Sequence, residues 1–422
     1  MPLTETDPTV DTRPTFTAQY QSLAKRFAVR LCVAVTLCVV VLGAVEFYSY
    51  RRYLPVAGDQ MEPAVKLDLA QGATPAEREY WQEFEQANKV TYHQYVLWRR
   101  QPYNGEAISI DQNGVRRTLN TRCDGNTFTI WMFGDSVMWG AGAPDGETIP
   151  SFIAADYEKA GRPVCIVNYA EKGWSSTQEM IGLIEELKHA SRKPDEVLFY
   201  DGGTEAFAAY QNGRPDVHSN YNSFKKFLDN WGANQKGGFS FFRQTNTYRL
   251  LEKIAAKAPF HRKESAAVAG PDPETMSSAV VGNYVQNMEI VDLLGKQYGF
   301  RPVFAWYPNL AVGHKELTPY EQQVLNLEYK KFPGLGLMYQ AAYKKARELN
   351  RPDLLYLGDL LDDQKATLYV GISHLKPAGN QIVADRLFDI LEHKTGEGAA
   401  GEQRVGMAGV KASHRRAKHR GN

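Results

Sequence analysis

Ser136 stands in the stretch "FGDSVMWGAG", residues 133–142, where the apolar run "TFTIWMF" gives way to glycine. A strand that ends in Gly-Asp-Ser can turn tightly at Gly134 and present a hydroxyl and a backbone N–H together at its carboxyl end. A serine hydroxyl is a weak nucleophile until a base takes its proton. Of the nine histidines, His374 stands out. It lies in "YVGISHLKPAGNQIVADRLFDIL", just before a helical pattern that opens on Pro377; the others fall on surface helices, in an irregular stretch or in the tails. Serine and histidine so paired perform acyl transfer, provided N–H donors hold the charge that develops on the carbonyl oxygen.

These side chains need a scaffold that brings strand ends together. From about residue 126 strand and helix patterns alternate: "TFTIWMF", a helix from about 147, "VCIVNYA", a helix over 176–190 and "EVLFYDG". There follow a helix over 278–297, "PVFAWYP", helices at 319–331 and 337–349, "LLYLGDLL" and a last helix over 377–392. The alternation predicts an α/β fold, a three-layer doubly wound and mostly parallel sheet with helices on both faces. Ligands in such sheets sit beyond the carboxyl ends of the strands. This domain spans 126–395, and residues 207–275 break its rhythm as an insertion or lid.

The run "FAVRLCVAVTLCVVVLGAVEFYSY", residues 27–50, reaches the roughly 20 residues a bilayer span requires. It reads as one N-terminal transmembrane helix, 25–50, behind a disordered tail, 1–24. A cleaved signal peptide is the alternative, against which no small-residue cleavage site follows and Arg51-Arg52 does. Positive charge on the two sides is nearly balanced, and we place the short N-terminus inside and the large domain outside. Residues 51–125 form a juxtamembrane helix and a hairpin. "TPAEREYWQEFEQANKVTYHQYVLWRR", 74–100, opens like a capped helix, and its aromatics are expected to pack on the main domain or the membrane surface. Asn113-Gly114 marks a hairpin within 106–120. Residues 396–422 form a disordered basic tail.

Cys123 and Cys165 each precede a strand by a similar distance. In parallel neighbouring strands they would lie close and could pair in an oxidising compartment; two separate buried thiols are the other reading. With 422 residues and 43% hydrophobic content the chain can bury a large core, and its net charge of +1 gives no sign of nucleic-acid binding. No cysteine–histidine cluster has zinc spacing and no glycine-rich loop carries a phosphate-binding lysine, so neither metal nor cofactor is expected.

Four blocks in order resemble the GDSL-type, or SGNH, hydrolases over about 126–392. They are Gly134-Asp135-Ser136, "NYAEKGWSSTQE" (168–179), "FYDGGTE" (199–205) and "HLKPAGNQIVA" (374–384). The resemblance implies Ser136 as nucleophile, His374 as base, and an oxyanion hole of the Ser136 and Gly173 N–H groups with Thr204. Two positions depart from the family: Thr204 replaces its oxyanion Asn, and Gly371 its Asp three residues before the histidine. Asp359, Asp362 or Asp363 could orient His374 instead. Asp201 and Glu205 read as structural, and Thr318, Pro319 and Glu321 as a helix start.

The expectation is therefore a serine esterase or O-acyltransferase held in the inner (cytoplasmic) membrane. Its domain would face the periplasm or exterior and act on acyl, chiefly O-acetyl, esters of envelope or secreted polysaccharide. The alternative is an inactive scaffold in envelope polysaccharide assembly, with envelope partners. The two separate on geometry: activity requires the His374 imidazole within hydrogen-bond reach of Ser136.

Overall fold

A computed structural model describes residues 16–53, 74–234, 245, 248 and 272–392. The expected tail at 396–422, most of the tail at 1–24, the connection over 54–73 and much of the insertion lie outside the described residues. The chain divides into two compact units, Met1–Pro55 with Asp229–Ser265, and Val56–Leu228 with Ala266–Asn422.

In the first unit, helix α1 (Phe16–Tyr53) contains Ala24–Tyr48, 25 residues of mean hydropathy 2.5 with none of its most apolar window buried. By length and composition it can cross a membrane.

The second unit holds a five-stranded, wholly parallel sheet: β5 (Phe128–Gly134), β6 (Val164–Asn168), β7 (Glu196–Asp201), β8 (Arg301–Trp306) and β9 (Leu354–Tyr356). Their order in space is β6-β5-β7-β8-β9. After β5 the chain steps outward to β6 and then crosses back to β7 on the other side, so the switch of direction falls between β5 and β7. That is where a doubly wound sheet opens a crevice at its carboxyl edge.

Two-residue alternation sends opposite side chains to opposite helix layers. Ile130, Met132, Leu198, Tyr200, Val303 and Ala305 face a layer that includes α4 (Ile149–Lys159) and the closing helix α11, residues 377–392. Trp131, Phe133, Val197, Phe199, Phe304 and Trp306 face α5 (Ser176–His189), α6 (Gly203–Asn212), which α7 (Tyr221–Asn234) follows in the chain, α8 (Pro273–Tyr298) and α10 (Leu335–Glu348). Phe133, Phe199 and Phe304 share one register across three strands and stack at 5.3 and 5.5 Å. Such aromatic pairs add about 0.5–1.5 kcal/mol each beyond their burial.

The segment before β5 departs from expectation. Helix α2 (Pro75–Ala87) has the Thr74–Glu77 capping box, but it stops at Ala87. Val90–His93 (β1) and Leu97–Arg100 (β2) then pair as an antiparallel hairpin. The aromatic and β-branched run "VTYH" suits a strand, and positive φ at Tyr95 and Leu97 makes the reversal. Tyr80 and Trp81 are buried as expected, whereas Tyr92 and Tyr95 are exposed. β3 (Tyr103–Asn104) pairs with β4 (Ser109–Ile110), and the predicted turn forms with Gly114 at φ +80°.

Cys123 and Cys165 are joined by a disulfide. Residues 121–123 run along β6, with Arg122 N–H donating to the Val164 carbonyl at 2.8 Å and Ile166 N–H to Thr121 Oγ1 at 2.6 Å. That alignment places the two sulfurs side by side.

Helix α9 (Pro319–Lys331) begins at the Thr318–Glu321 capping box, as expected. Glu321 does more than cap. It pairs with the buried Lys315 at 2.8 Å and accepts the Leu368 and Tyr369 N–H groups at 3.0 and 3.3 Å, which fixes the chain leading to His374.

Candidate active site

β5 ends at Gly134, whose φ of +154° and lack of a side chain let the chain turn against the Tyr200 carbonyl; a Cβ there would lie 2.7 Å from that oxygen. Asp135 caps the short helix α3 (Ser136–Trp139) by accepting Val137 N–H at 2.7 Å. Ser136 is therefore the first residue of a helical turn, and its N–H makes no hydrogen bond within the described residues. Gly140, in left-handed conformation, ends the turn at once.

His374 sits on a tight reversal in which Tyr369 pairs with Leu375, and Val370 N–H donates to the His374 carbonyl at 2.9 Å. Asn309 Nδ2 donates to Ser373 Oγ at 3.0 Å and Leu310 N–H to the Ile372 carbonyl at 2.8 Å, so the segment after β8 supports this reversal. The result is a distance of 2.8 Å between His374 Nε2 and Ser136 Oγ. Two residues 238 positions apart meet at hydrogen-bond length.

Gly173 lies in the loop after β6, at φ +76°. Glu171 N–H donates to the Gly134 carbonyl at 3.0 Å, which ties this loop to the nucleophile turn. Gly173 N–H, like that of Ser136, donates to nothing within the described residues. Ser136, Gly173, Thr204 and His374 are each half-exposed among buried neighbours.

Thr204 requires a correction. Its Oγ1 donates to Asp135 Oδ2 at 2.5 Å, and its N–H donates to Tyr307 Oη at 3.2 Å. A hydroxyl has one proton, so in this arrangement the Thr204 side chain gives none to an oxyanion. Tyr307 Oη also donates to Asp135 Oδ2, at 2.5 Å. Sequence reasoning missed this tyrosine; its position directly after β8, at the same edge as the other site residues, was the available signal. Burial raises the Asp135 carboxyl above its ordinary value, against the pull of Thr204, Tyr307 and Val137 N–H.

The proposed orienting acids lie in other company. Asp359 is held by the Arg347 guanidinium. Asp362 accepts the His314 backbone N–H at 2.8 Å and lies 3.3 Å from that residue's Nδ1, while Asp363 is exposed. His314, Asp359 and Asp362 bring three potential ligand atoms within 4.8 Å of one another on the surface, where Arg347 already supplies Asp359 with a cation.

Beneath the site lies a buried acidic group. Glu205 accepts Ser176 N–H at 2.8 Å and Gly202 N–H at 3.2 Å, which is the structural role expected of it. Glu179 and Asp201 are fully buried neighbouring carboxyls, and Tyr284 Oη donates to Asp201 at 3.1 Å. Burial, reinforced by neighbouring carboxylates, holds Glu179 and Asp201 well above the usual range; burial pushes Glu205 to about 7.

A carboxyl with a raised folded-state pKa keeps a proton that the unfolded chain releases, so its contribution to stability falls as pH rises. For Glu205 the loss runs from about pH 4.5 to about 7. It amounts to roughly 3 kcal/mol at about 1.4 kcal/mol per tenfold change in proton affinity. Glu179→Gln, which removes one of these titrating carboxyls, should gain melting temperature relative to the parent as pH rises from 5 to 8.5. A difference between the two that is flat or shrinking over that range would show that Glu179 holds no such proton.

No protein-family model and no curated protein matches the chain. Solved structures similar to it include a member of the lipolytic protein G-D-S-L family from Veillonella parvula DSM 2008, at 13% identity over 62% of this chain and 97% of that one, with a TM-score of 0.32. Another is the psychrotrophic esterase EstA from Pseudoalteromonas sp., at 10% identity over 64% of this chain and 99% of that one, TM-score 0.32. A third is an acetyl xylan esterase, at 12% identity over 62% and 98%, TM-score 0.30. Likenesses of this strength say nothing about substrate, and the reading that follows rests on the dyad's own geometry.

Proposed function

We propose that the chain is a membrane-anchored serine esterase or O-acyltransferase of SGNH type, with Ser136 as nucleophile and His374 as general base. The observation that carries this reading is the 2.8 Å contact between His374 Nε2 and Ser136 Oγ at the carboxyl edge of the sheet, on the switch point between β5 and β7.

In the reaction, His374 takes the Ser136 proton as Oγ bonds to an acyl carbonyl carbon. The N–H groups of Ser136 and Gly173 hold the oxyanion. His374 then protonates the departing alcohol, and water or a sugar hydroxyl releases the acyl group by the reverse sequence. Asp135 anchors the turn, with Thr204 and Tyr307 holding its carboxylate in place. The resemblance of the four sequence blocks to SGNH hydrolases makes acyl esters, chiefly O-acetyl, of envelope or secreted polysaccharide the substrate class we favour. The apolar helix supports an anchor, and the Cys123–Cys165 disulfide favours an oxidising compartment for the domain.

The second reading is a non-catalytic scaffold in polysaccharide assembly; the Thr204 hydroxyl committed to Asp135 favours it, since one expected oxyanion donor is lost. Hydrolysis of p-nitrophenyl acetate by the detergent-solubilised full chain separates the two. Esterase action predicts steady turnover and acetate release from an O-acetylated polysaccharide. Background-level turnover on both substrates leaves the scaffold.

A further inference from the structure

The loop that presents Gly173 is held largely by the hairpin of β1 and β2, which comes from outside the alternating strand–helix region. Glu171, fully buried, lies 2.9 Å from Arg100 Nε through Oε1 and accepts Arg100 N–H at 2.9 Å through Oε2. Its Oε1 also accepts Lys172 N–H at 2.9 Å. Arg100 is itself buried and donates from Nη1 to the Asn88 carbonyl at 2.6 Å.

The neighbouring contacts converge on the same loop. Trp98 Nε1 donates to the Lys172 carbonyl at 3.1 Å, Arg99 Nη1 to the Tyr169 carbonyl at 3.2 Å, and Trp174 Nε1 back to the Trp98 carbonyl at 3.2 Å. The Arg99 guanidinium lies 4.5 Å from the Trp174 ring centre. Hairpin side chains thus pin backbone groups before Gly173, the hairpin backbone receives the Trp174 side chain after it, and Ser219 Oγ donates to the Gly173 carbonyl at 2.6 Å, while the Gly173 N–H is left unused.

A buried ion pair is seldom a net source of stability, because desolvating two charges offsets their attraction. A well-packed apolar pair would hold the core as well; what the charges add here is direction, since both Glu171 oxygens are used and each bond fixes the loop. We propose that Arg100 and Glu171 are a positioning pair for the oxyanion donor Gly173 N–H, with Trp98 as its second tie, so that the hairpin Val90–Arg100 sets the competence of the site. This rests on the esterase reading above for its catalytic meaning, though the clamp itself is independent of activity.

Two measurements on the full chain test it. Amide hydrogen exchange across residues 171–174 should quicken at least tenfold in Glu171→Gln and Trp98→Phe; unchanged exchange overturns the clamp whether or not the chain hydrolyses esters. Kinetics then test its role. Full removal of an oxyanion donor costs about 10²–10³-fold in rate. Misplacing one in Arg100→Lys or Glu171→Gln should lower kcat about 10–100-fold with KM within about twofold.

The chemical signature is the preference for an ester over its thionoester, because sulfur accepts hydrogen bonds poorly and an aimed N–H penalises it. That preference should shrink toward unity in the variants. Reduced kcat with the preference intact would mean a merely structural role and overturn the proposal. Trp98→Phe, which deletes one hydrogen bond without stranding a buried charge, keeps the test open if the charge variants fail to fold. Turnover in the parent lost in Ser136→Ala, together with unaltered kcat in all three variants, would reject the positioning pair and leave the esterase reading standing.

Discussion

Ser136→Ala is expected to lower kcat on p-nitrophenyl acetate by about 10³–10⁴-fold, and His374→Gln by a similar factor. The double variant should be no slower than either one, because nucleophile and base act as a unit whose effects do not add. The geometry demands this: with Nε2 at 2.8 Å from Oγ, each partner is idle without the other. Complete triads lose up to ~10⁶ in kcat on such a change, which bounds the expected drop from above. Steady-state kinetics on the four proteins decide the matter. Factors that multiply in the double variant, or a Ser136→Ala protein as fast as its parent, would mean that the observed hydrolysis runs elsewhere on the chain.

Which parts of this site could be read beforehand depended on how local the cause was. Gly134-Asp135-Ser136 needs only an apolar strand and a glycine that can turn, both written within a few residues, and the Pro377 helix start marks His374 in the same way. The strand–helix alternation gave the sheet because each element's hydrophobic period is a property of its own segment. Thr204 was misread because its fate is decided by Asp135 and Tyr307, the latter 103 positions away. The hairpin at 90–100 follows a capped helix start at Thr74, and its aromatics Tyr92, Tyr95 and Trp98 stand near helical spacing, so the segment alone does not announce two strands. What decides it is the burial of Arg99 and Arg100, which becomes tolerable only beside Glu171 and the Tyr169 carbonyl, some seventy residues on. A buried charge in sequence looks like a surface charge until its partner is known.

The thiols belong between these cases, and they carry the second large prediction. Strand parallelism suggested that Cys123 and Cys165 could meet; only the pairing of residues 121–123 along β6 makes them do so. The cross-link closes a loop with a sequence separation of 42. In the chain-entropy account such a loop removes about 4 kcal/mol of freedom from the unfolded chain. Joint replacement, Cys123→Ser with Cys165→Ser, should therefore lower stability by about 3–4 kcal/mol, and the melting temperature of a domain this size by about 5–7 °C. Cys32 and Cys38, exposed on α1, are free thiols. Alkylation of the denatured, unreduced full chain should accordingly modify two cysteines, and all four after reduction. Four reactive thiols without reductant, or a doubly substituted chain that melts with its parent, would remove both the cross-link and the argument that this domain works in an oxidising compartment.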